Sequence, residues 1–249
     1  MVMNSEQDES CLVCRLRYYI DISDRDERLL RKLEENQISI AAKADLNAQD
    51  NIDSLFVVKS GWLYSYVDLD ETSRQVLRIH YPGDVVGLTD VAMQESFGTV
   101  KAATKAVLCP FPKKHLDDIF TQSPRLTALI FSLGMLEQVV LMDRLKIIGR
   151  MSAVDRVAHF LLEIHARLKI HAPKDVDGEF DIPLTQEAIG DAIGLTNVSV
   201  SNALTQLEFD GYLRCNKRRV TFREMEKLKE KINFKDRYFK IDTKWFPDA

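Results

Sequence analysis

The chain has 249 residues, 45% hydrophobic and 29% charged, with a net charge of −4. That apolar content excludes a disordered chain and is enough for a sizeable core, on the usual scale two domains. The acidic balance excludes an indiscriminate polyanion binder, and four cysteines in this length exclude a disulfide framework, fitting reduced thiols in a cytoplasmic protein.

Residues 1–10 are polar and acidic, without a secretory pattern. Cys11-Leu-Val-Cys14 and an apolar-basic stretch complete a leader over 1–23. Ser23 and Asp24 then read as the cap of a short amphipathic helix carrying Glu27, Leu29, Leu30 and Leu33. From Ile38 to Phe111 the hydrophobic period falls from 3.6 to about 2. Strands are predicted at 38–42, 54–58, 62–67, 75–80, 85–87, 100–103 and 106–110. Lys59-Ser-Gly61, Asp68-Leu-Asp-Glu-Thr72 and Tyr81-Pro-Gly-Asp84 supply the turns. Short strands at this spacing indicate a closed antiparallel barrel or sandwich.

Helical periodicity returns at Lys113, with a short helix before Pro124 and a long one after it. Leu126, Leu129, Ile130, Leu133, Leu136, Val140, Leu141, Ile147 and Ile148 recur in steps of three and four. The stripe is a core face packed on the strands, a coiled-coil-like dimer seam or, being wide, both, with one edge on the barrel and one on a twin. Asp143 interrupts it, which a purely structural core face rarely tolerates. The most apolar run, 126–136, has 11 uncharged residues, short of the ~20 that a bilayer needs, so no membrane partner is expected. Gly149 and Ser152 mark a break, residues 154–168 form another amphipathic helix, and Lys174-Asp-Val-Asp-Gly178 reads as a turn.

Residues 183–222 are the most specific segment. Pro183 and Thr185 start a helix, Gly194-Leu195-Thr196 is a tight turn, and Thr196 caps a second helix that Asp210-Gly211 closes. Gly190 allows close approach of the two helices, and Gly194 suits a left-handed turn. Tyr212 to Phe222 reads as a hairpin wing holding Arg214, Lys217, Arg218 and Arg219, with Arg223 directly after it and no acid from 214 to 223. Asn197, Val198, Ser199, Ser201 and Asn202 project from the start of the second helix, and no acid lies between Thr196 and Gln206. Such a face suits a negatively charged groove. Asn pairs with adenine, Ser donates or accepts, and Val meets a thymine methyl. Thr185, Gln186, Thr196, Lys217 and Arg218 are the candidate phosphate contacts.

Gln186-Glu-Ala-Ile-Gly-Asp-Ala-Ile-Gly-Leu-Thr196 with Val198-Ser-Val-Ser-Asn202 resembles the helix-turn-helix of the Crp/Fnr regulators. Leu55-Phe-Val-Val-Lys-Ser-Gly61, Ser65-Tyr66 and Pro82-Gly-Asp-Val-Val-Gly87 are similar to the β-roll of that family, closer to its Fnr branch than to its cyclic-AMP branch. The resemblance implies an α+β architecture. After the leader (1–23) come a sensory jelly-roll domain (24–122), a dimerisation helix (123–150), a winged helix-turn-helix (151–232) and a C-terminal tail (233–249). It also implies a homodimer on palindromic double-stranded DNA, acting with RNA polymerase, and no catalysis. The dimer seam is then Leu126, Leu129, Ile130, Leu133, Leu136, Val140, Asp143 and Ile147.

The departures from the family pattern also carry information. Where cyclic-AMP-binding members have a ribose-binding Glu and a phosphate-binding Arg, this chain has Leu88 and Gly98-Thr99. A cyclic nucleotide is therefore not expected, although Arg78 or Lys101 could supply a cation. An effector pocket would take Arg78, Gly87, Leu88, Thr99 and Lys101. Fnr-type sensors hold an iron–sulfur cluster. Cys11, Cys14 and Cys109 sit at comparable places, but Ile20 stands where another cysteine is expected. A lone Cys-x-x-Cys with a buried strand cysteine is the reading favoured here, with no cofactor or metal assigned. Cys215, beside wing cations, is a candidate low-pKa thiol. A second functional reading is a cyclic-nucleotide-binding regulatory module acting through protein partners. The cationic wing and the acid-free helix speak against it.

Overall fold

The computed structural model describes residues 10–46, 53–91, 93, 96–171, 178–238 and 240–248. Residues 174–177 of the turn expected after the fifth helix lie outside them. The first element is a helix, α1 (Cys11–Arg17), capped by Ser10, whose hydroxyl accepts the Val13 N–H at 3.0 Å. It buries Leu12, Val13 and Leu16. Helix α2 (Asp24–Arg31) starts at the predicted cap, with Ser23 accepting from Asp26 N at 3.1 Å and acids filling the first turn.

Eight strands follow: β1 (Ile38–Ile40), β2 (Asp45–Leu46), β3 (Ser54–Ser60), β4 (Leu63–Asp68), β5 (Arg74–His80), β6 (Val85–Val86), β7 (Thr99–Ala102) and β8 (Ala106–Pro112). They form two four-stranded sheets in the orders β1-β8-β3-β6 and β2-β7-β4-β5, the jelly-roll arrangement that the short runs predict. Strand β2 has no signature in the sequence, because two residues cannot display a period. Strand β3 explains why its run is continuously apolar. Phe56 and Val58 fill the interior of the roll with Leu63, Val86 and Leu108. Leu55 and Val57 face outward into a second cluster with α1 and the later helices.

Helix α3 (His115–Gln122) leads to α4 (Pro124–Arg150), and Ser152 caps α5 (Ala153–His171), accepting from Asp155 N at 3.2 Å. Strand β9 (Glu179–Asp181), helices α6 (Gln186–Ile193) and α7 (Asn197–Phe209), strands β10 (Leu213–Asn216) and β11 (Arg219–Phe222) and helix α8 (Met225–Lys231) complete the chain. The wing is a three-stranded sheet, β10-β11-β9. The chain divides into two compact units. One comprises residues 1–66, 79–133 and 241–249, the other residues 67–78 and 134–240. The tip of the β4–β5 hairpin thus belongs to the same unit as the helix-turn-helix.

Five of the eight residues expected in the dimer seam are taken up by the chain's own interior. Leu126, Leu129, Val140, Asp143 and Ile147 are buried within the chain itself. Ile130 and Leu133 pack half-buried on the outer cluster of the roll, and Leu136 is half-buried. The exposed apolar side chains are instead Phe131, Met135, Leu141, Met142 and Leu145, the last 74% exposed. Both faces of α4 are apolar, and the branched residues that mark the clearer stripe are mostly those the chain's own core takes. Asp143 is satisfied internally. Its carboxylate accepts from Arg237 at 2.7 and 2.8 Å and from the Tyr238 hydroxyl at 3.0 Å. By length and composition α4 would also pass as a membrane span, contrary to what the short uncharged run at 126–136 suggests. Its two apolar faces account for that.

Candidate nucleic-acid interface

Helices α6 and α7 form the helix-turn-helix as the capping chemistry predicts. Thr185 caps α6, accepting from Ala188 N at 3.1 Å, and Thr196 caps α7, accepting from Ser199 N at 3.1 Å. Gly194 ends α6 at φ 66°, and a methyl group at Gly190 would collide with the Leu195 carbonyl. The buried faces are Ala188, Ile189, Ala192 and Ile193 on α6, and Val200, Ala203 and Leu207 on α7.

With that face fixed inward, the opposite face of α7 is set by the period of 3.6. Asn197, Val198 and Asn202 are exposed, Val198 by 68%. Thr205, Gln206 and Phe209 are exposed beyond them, Phe209 by 85%. Thr205 and Phe209 continue the line of Val198 and Asn202 at helical spacing. Sequence reasoning stopped at the first turns and missed them. Ser199 differs from its neighbours. It is half-buried, and its hydroxyl lies 2.9 Å from that of Thr196, inside the cap.

Ser201 lines a small cleft of about 180 Å³ together with Gln186, Thr205, Glu208, Lys217 and Arg218. Three candidate phosphate contacts and one base contact therefore meet at the junction of α6, α7 and the wing. The Glu208 carboxylate, which accepts the Cys215 N–H at 2.6 Å, is the acid in this cleft. Lys217, Arg218 and Arg214 are exposed, whereas Arg219 is paired with Glu179. Lys217 turns the wing at φ 57°, a left-handed conformation that favours glycine. The hydroxyls of Thr185 and Thr196 use an oxygen lone pair in capping and keep an O–H to donate.

Of the thiols, Cys215 differs from the low-pKa option. Burial, reinforced by Glu208, pushes Cys215 up to about 11 rather than down. Cys109 is fully buried, and burial followed by Glu34 raises it to about 11 as well. Cys11 donates to the Lys59 carbonyl at 3.2 Å, and Cys14 is exposed. Among the described residues no three His, Cys, Asp or Glu side chains converge on a metal-sized site. Cys109 is packed in the apolar cluster with α1, whereas Cys14 is exposed.

Arg78 pairs with Glu137 at 3.2 Å, and Lys101 pairs with Asp45 at 3.4 Å while lying over the Tyr66 ring. Each cation already faces an acid. Leu88 packs on the outer cluster, Gly87 takes φ 90°, and Thr99 opens β7.

Two family models match the chain: a cyclic nucleotide-binding domain over residues 46–123 and a Crp-like helix-turn-helix domain over residues 155–231. In this order, with α4 between them, they define a Crp/Fnr-type transcription regulator. Relatives along nearly the whole chain agree. The regulatory protein HlyX of Actinobacillus pleuropneumoniae is 24% identical over 221 residues, covering 88% of this chain and 91% of the relative. The fumarate and nitrate reduction regulatory protein of Yersinia pestis is 24% identical over 223 residues, 88% of each. Among solved structures, FixK2 from Bradyrhizobium japonicum superposes with a TM-score of 0.69 at 26% identity, covering 78% of this chain and 96% of that one. The chain belongs to the Crp/Fnr family of DNA-binding transcription regulators, closer to its Fnr branch, and is not an enzyme.

Proposed function

We propose that the protein binds a two-fold-symmetric promoter site as a homodimer, with α7 of each protomer in a major groove. The observation that carries this is the capped start of α7, without an acid from 197 to 206, beside the exposed Lys217 and Arg218. Val198, Asn202 and Thr205 face base edges, and Asn197 and Ser201 flank them, with Ser199 shaping the cap. Thr185, Gln186, Thr196, Lys217 and Arg218 hold phosphates, helped by the positive N-terminal ends of α6 and α7. The exposed stripe of α4 is the seam with the second protomer. Occupancy of the site acts on RNA polymerase at the same promoter, in the cytoplasm.

Selection from random DNA, followed by titration at several salt concentrations, tests the assignment. Asn202→Ala is expected to cost about 1–3 kcal/mol on the selected site and to relax preference at one base position per half-site. Lys217→Ala is expected to weaken all sequences alike, lowering the salt slope by about 0.9 for each phosphate the lysine no longer neutralises. An Asn202→Ala protein that selects the same motif with the same affinity removes α7 as the reader.

A further inference from the structure

Residues 183–223 carry five basic and four acidic side chains, close to neutrality for a surface meant to meet a polyanion. The acids are Glu187 and Asp191 on α6, and Glu208 and Asp210 at the end of α7. Glu208 is turned to the wing backbone, and Asp210 lies 3.8 Å from Lys231. Glu187 and Asp191 sit on the first helix, Glu187 directly after Gln186, and Glu187 is exposed. Left alone, these two carboxylates would repel the phosphates that the start of α6 is to hold.

The cation that answers them comes from far away in sequence. Arg74, at the start of β5 on the hairpin tip, places Nε 2.7 Å from the Asp191 carboxylate and Nη2 3.8 Å from that of Glu187. Next to it, the Gln75 side-chain amide donates to the Asp191 carbonyl at 2.5 Å. The hairpin has a second, separate anchorage. Arg144 donates to the Leu77 carbonyl at 2.6 Å, and Arg78 pairs with Glu137. Removing the Arg74 guanidinium therefore leaves the hairpin held in place.

We propose that Arg74 is a positioning residue for DNA binding: by neutralising Asp191 and Glu187 it lets the N-terminal turn of α6 approach the phosphate backbone. This rests on the DNA-binding assignment above. The surface that meets DNA is then completed by a residue of the sensory half of the sequence, and the β4–β5 hairpin sets the charge of the reading head.

The test uses the full chain and the DNA selected by the wild-type protein. Arg74→Ala should lower affinity by about tenfold at low salt, with a deficit that narrows as salt rises, since screening acts on a repulsion between exposed charges. Adding Glu187→Gln and Asp191→Asn to Arg74→Ala should restore wild-type affinity, because no acids remain to be neutralised. Arg74→Ala binding as tightly as the wild type or tighter would overturn the proposal. So would a triple variant as weak as Arg74→Ala, which would make Arg74 a mere support of α6. Lys217→Ala runs alongside as the control. If it too leaves affinity unchanged, the DNA-binding assignment itself has failed. If it weakens binding while Arg74→Ala does not, only the role of Arg74 falls.

Discussion

Lys217 keeps a lysine where the backbone asks for glycine, at φ 57° in the wing turn. A left-handed conformation costs a non-glycine residue roughly 1–2 kcal/mol, partly offset on replacement by the greater freedom of glycine in the unfolded chain. Strain retained at an exposed cation next to α7 points to the cation's use. Lys217→Gly should therefore hold or raise the thermal stability while weakening every DNA sequence alike. Unfolding curves and titrations on two unrelated sequences check this. A variant that melts lower yet binds normally would make the lysine structural. A second residue, His159, sets a pH limit. It is buried against Tyr238 and Phe234, and burial, only partly opposed by Asp143, lowers its pKa from 6.5 to about 4. The unfolded chain takes up the proton first, so stability should fall as pH drops from about 6.5 to about 4, by about 3 kcal/mol over the window. The carboxylate of Asp143 has its pKa lowered, with the Arg237 and Tyr238 hydrogen bonds outweighing burial, so it loses its contribution only below that window. His159→Gln should flatten the dependence of melting temperature on pH between 7 and 5. An unchanged slope would assign it to other groups.

At the scale of the element, α4 shows what a hydrophobic pattern does and does not say. Its existence follows directly from steps of three and four. Which apolar face meets a partner does not, because burial depends on what the rest of the chain brings to it. Leu126, Leu129, Val140 and Ile147 of the stripe are buried, while Leu141 of the same stripe stays exposed with Met142, Leu145, Met135 and Phe131. Asp143 looked like a seam polar residue. Its partners, Arg237 and Tyr238, lie more than 90 positions downstream, beyond the reach of any local pattern. The two faces should respond differently to a charge. Leu145→Asp or Met142→Asp puts an aspartate into the seam once per protomer and should give a folded monomer. Val140→Asp, buried in the chain itself, should cost several kcal/mol and compromise folding. Sedimentation and circular dichroism separate the outcomes. A dimer that persists in both exposed-face variants would remove that face as the seam.

Over the whole molecule, the parts governed by local chemistry were legible. Caps at Ser23, Thr185 and Thr196, the left-handed Gly194 and the alternation of the roll each depend on a few neighbouring residues. The parts governed by distant contacts were not. Arg74 lies 117 positions from Asp191, and the thiol of Cys215 is set by burial that no spacing reveals. Within the site, the first turns of α7 were legible from its cap. Thr205 and Phe209 needed the buried face to be known before the outer one could be followed to its end. The central claim is that a symmetric pair of α7 helices reads DNA from the major groove. Methylation protection on the selected site addresses it most directly, because it reports access to the major-groove edge of guanine. Two equally protected patches, related by two-fold symmetry and about one turn, ~34 Å, apart, are predicted, with both lost together in Leu145→Asp. A single patch, or protection confined to the minor groove, would contradict it.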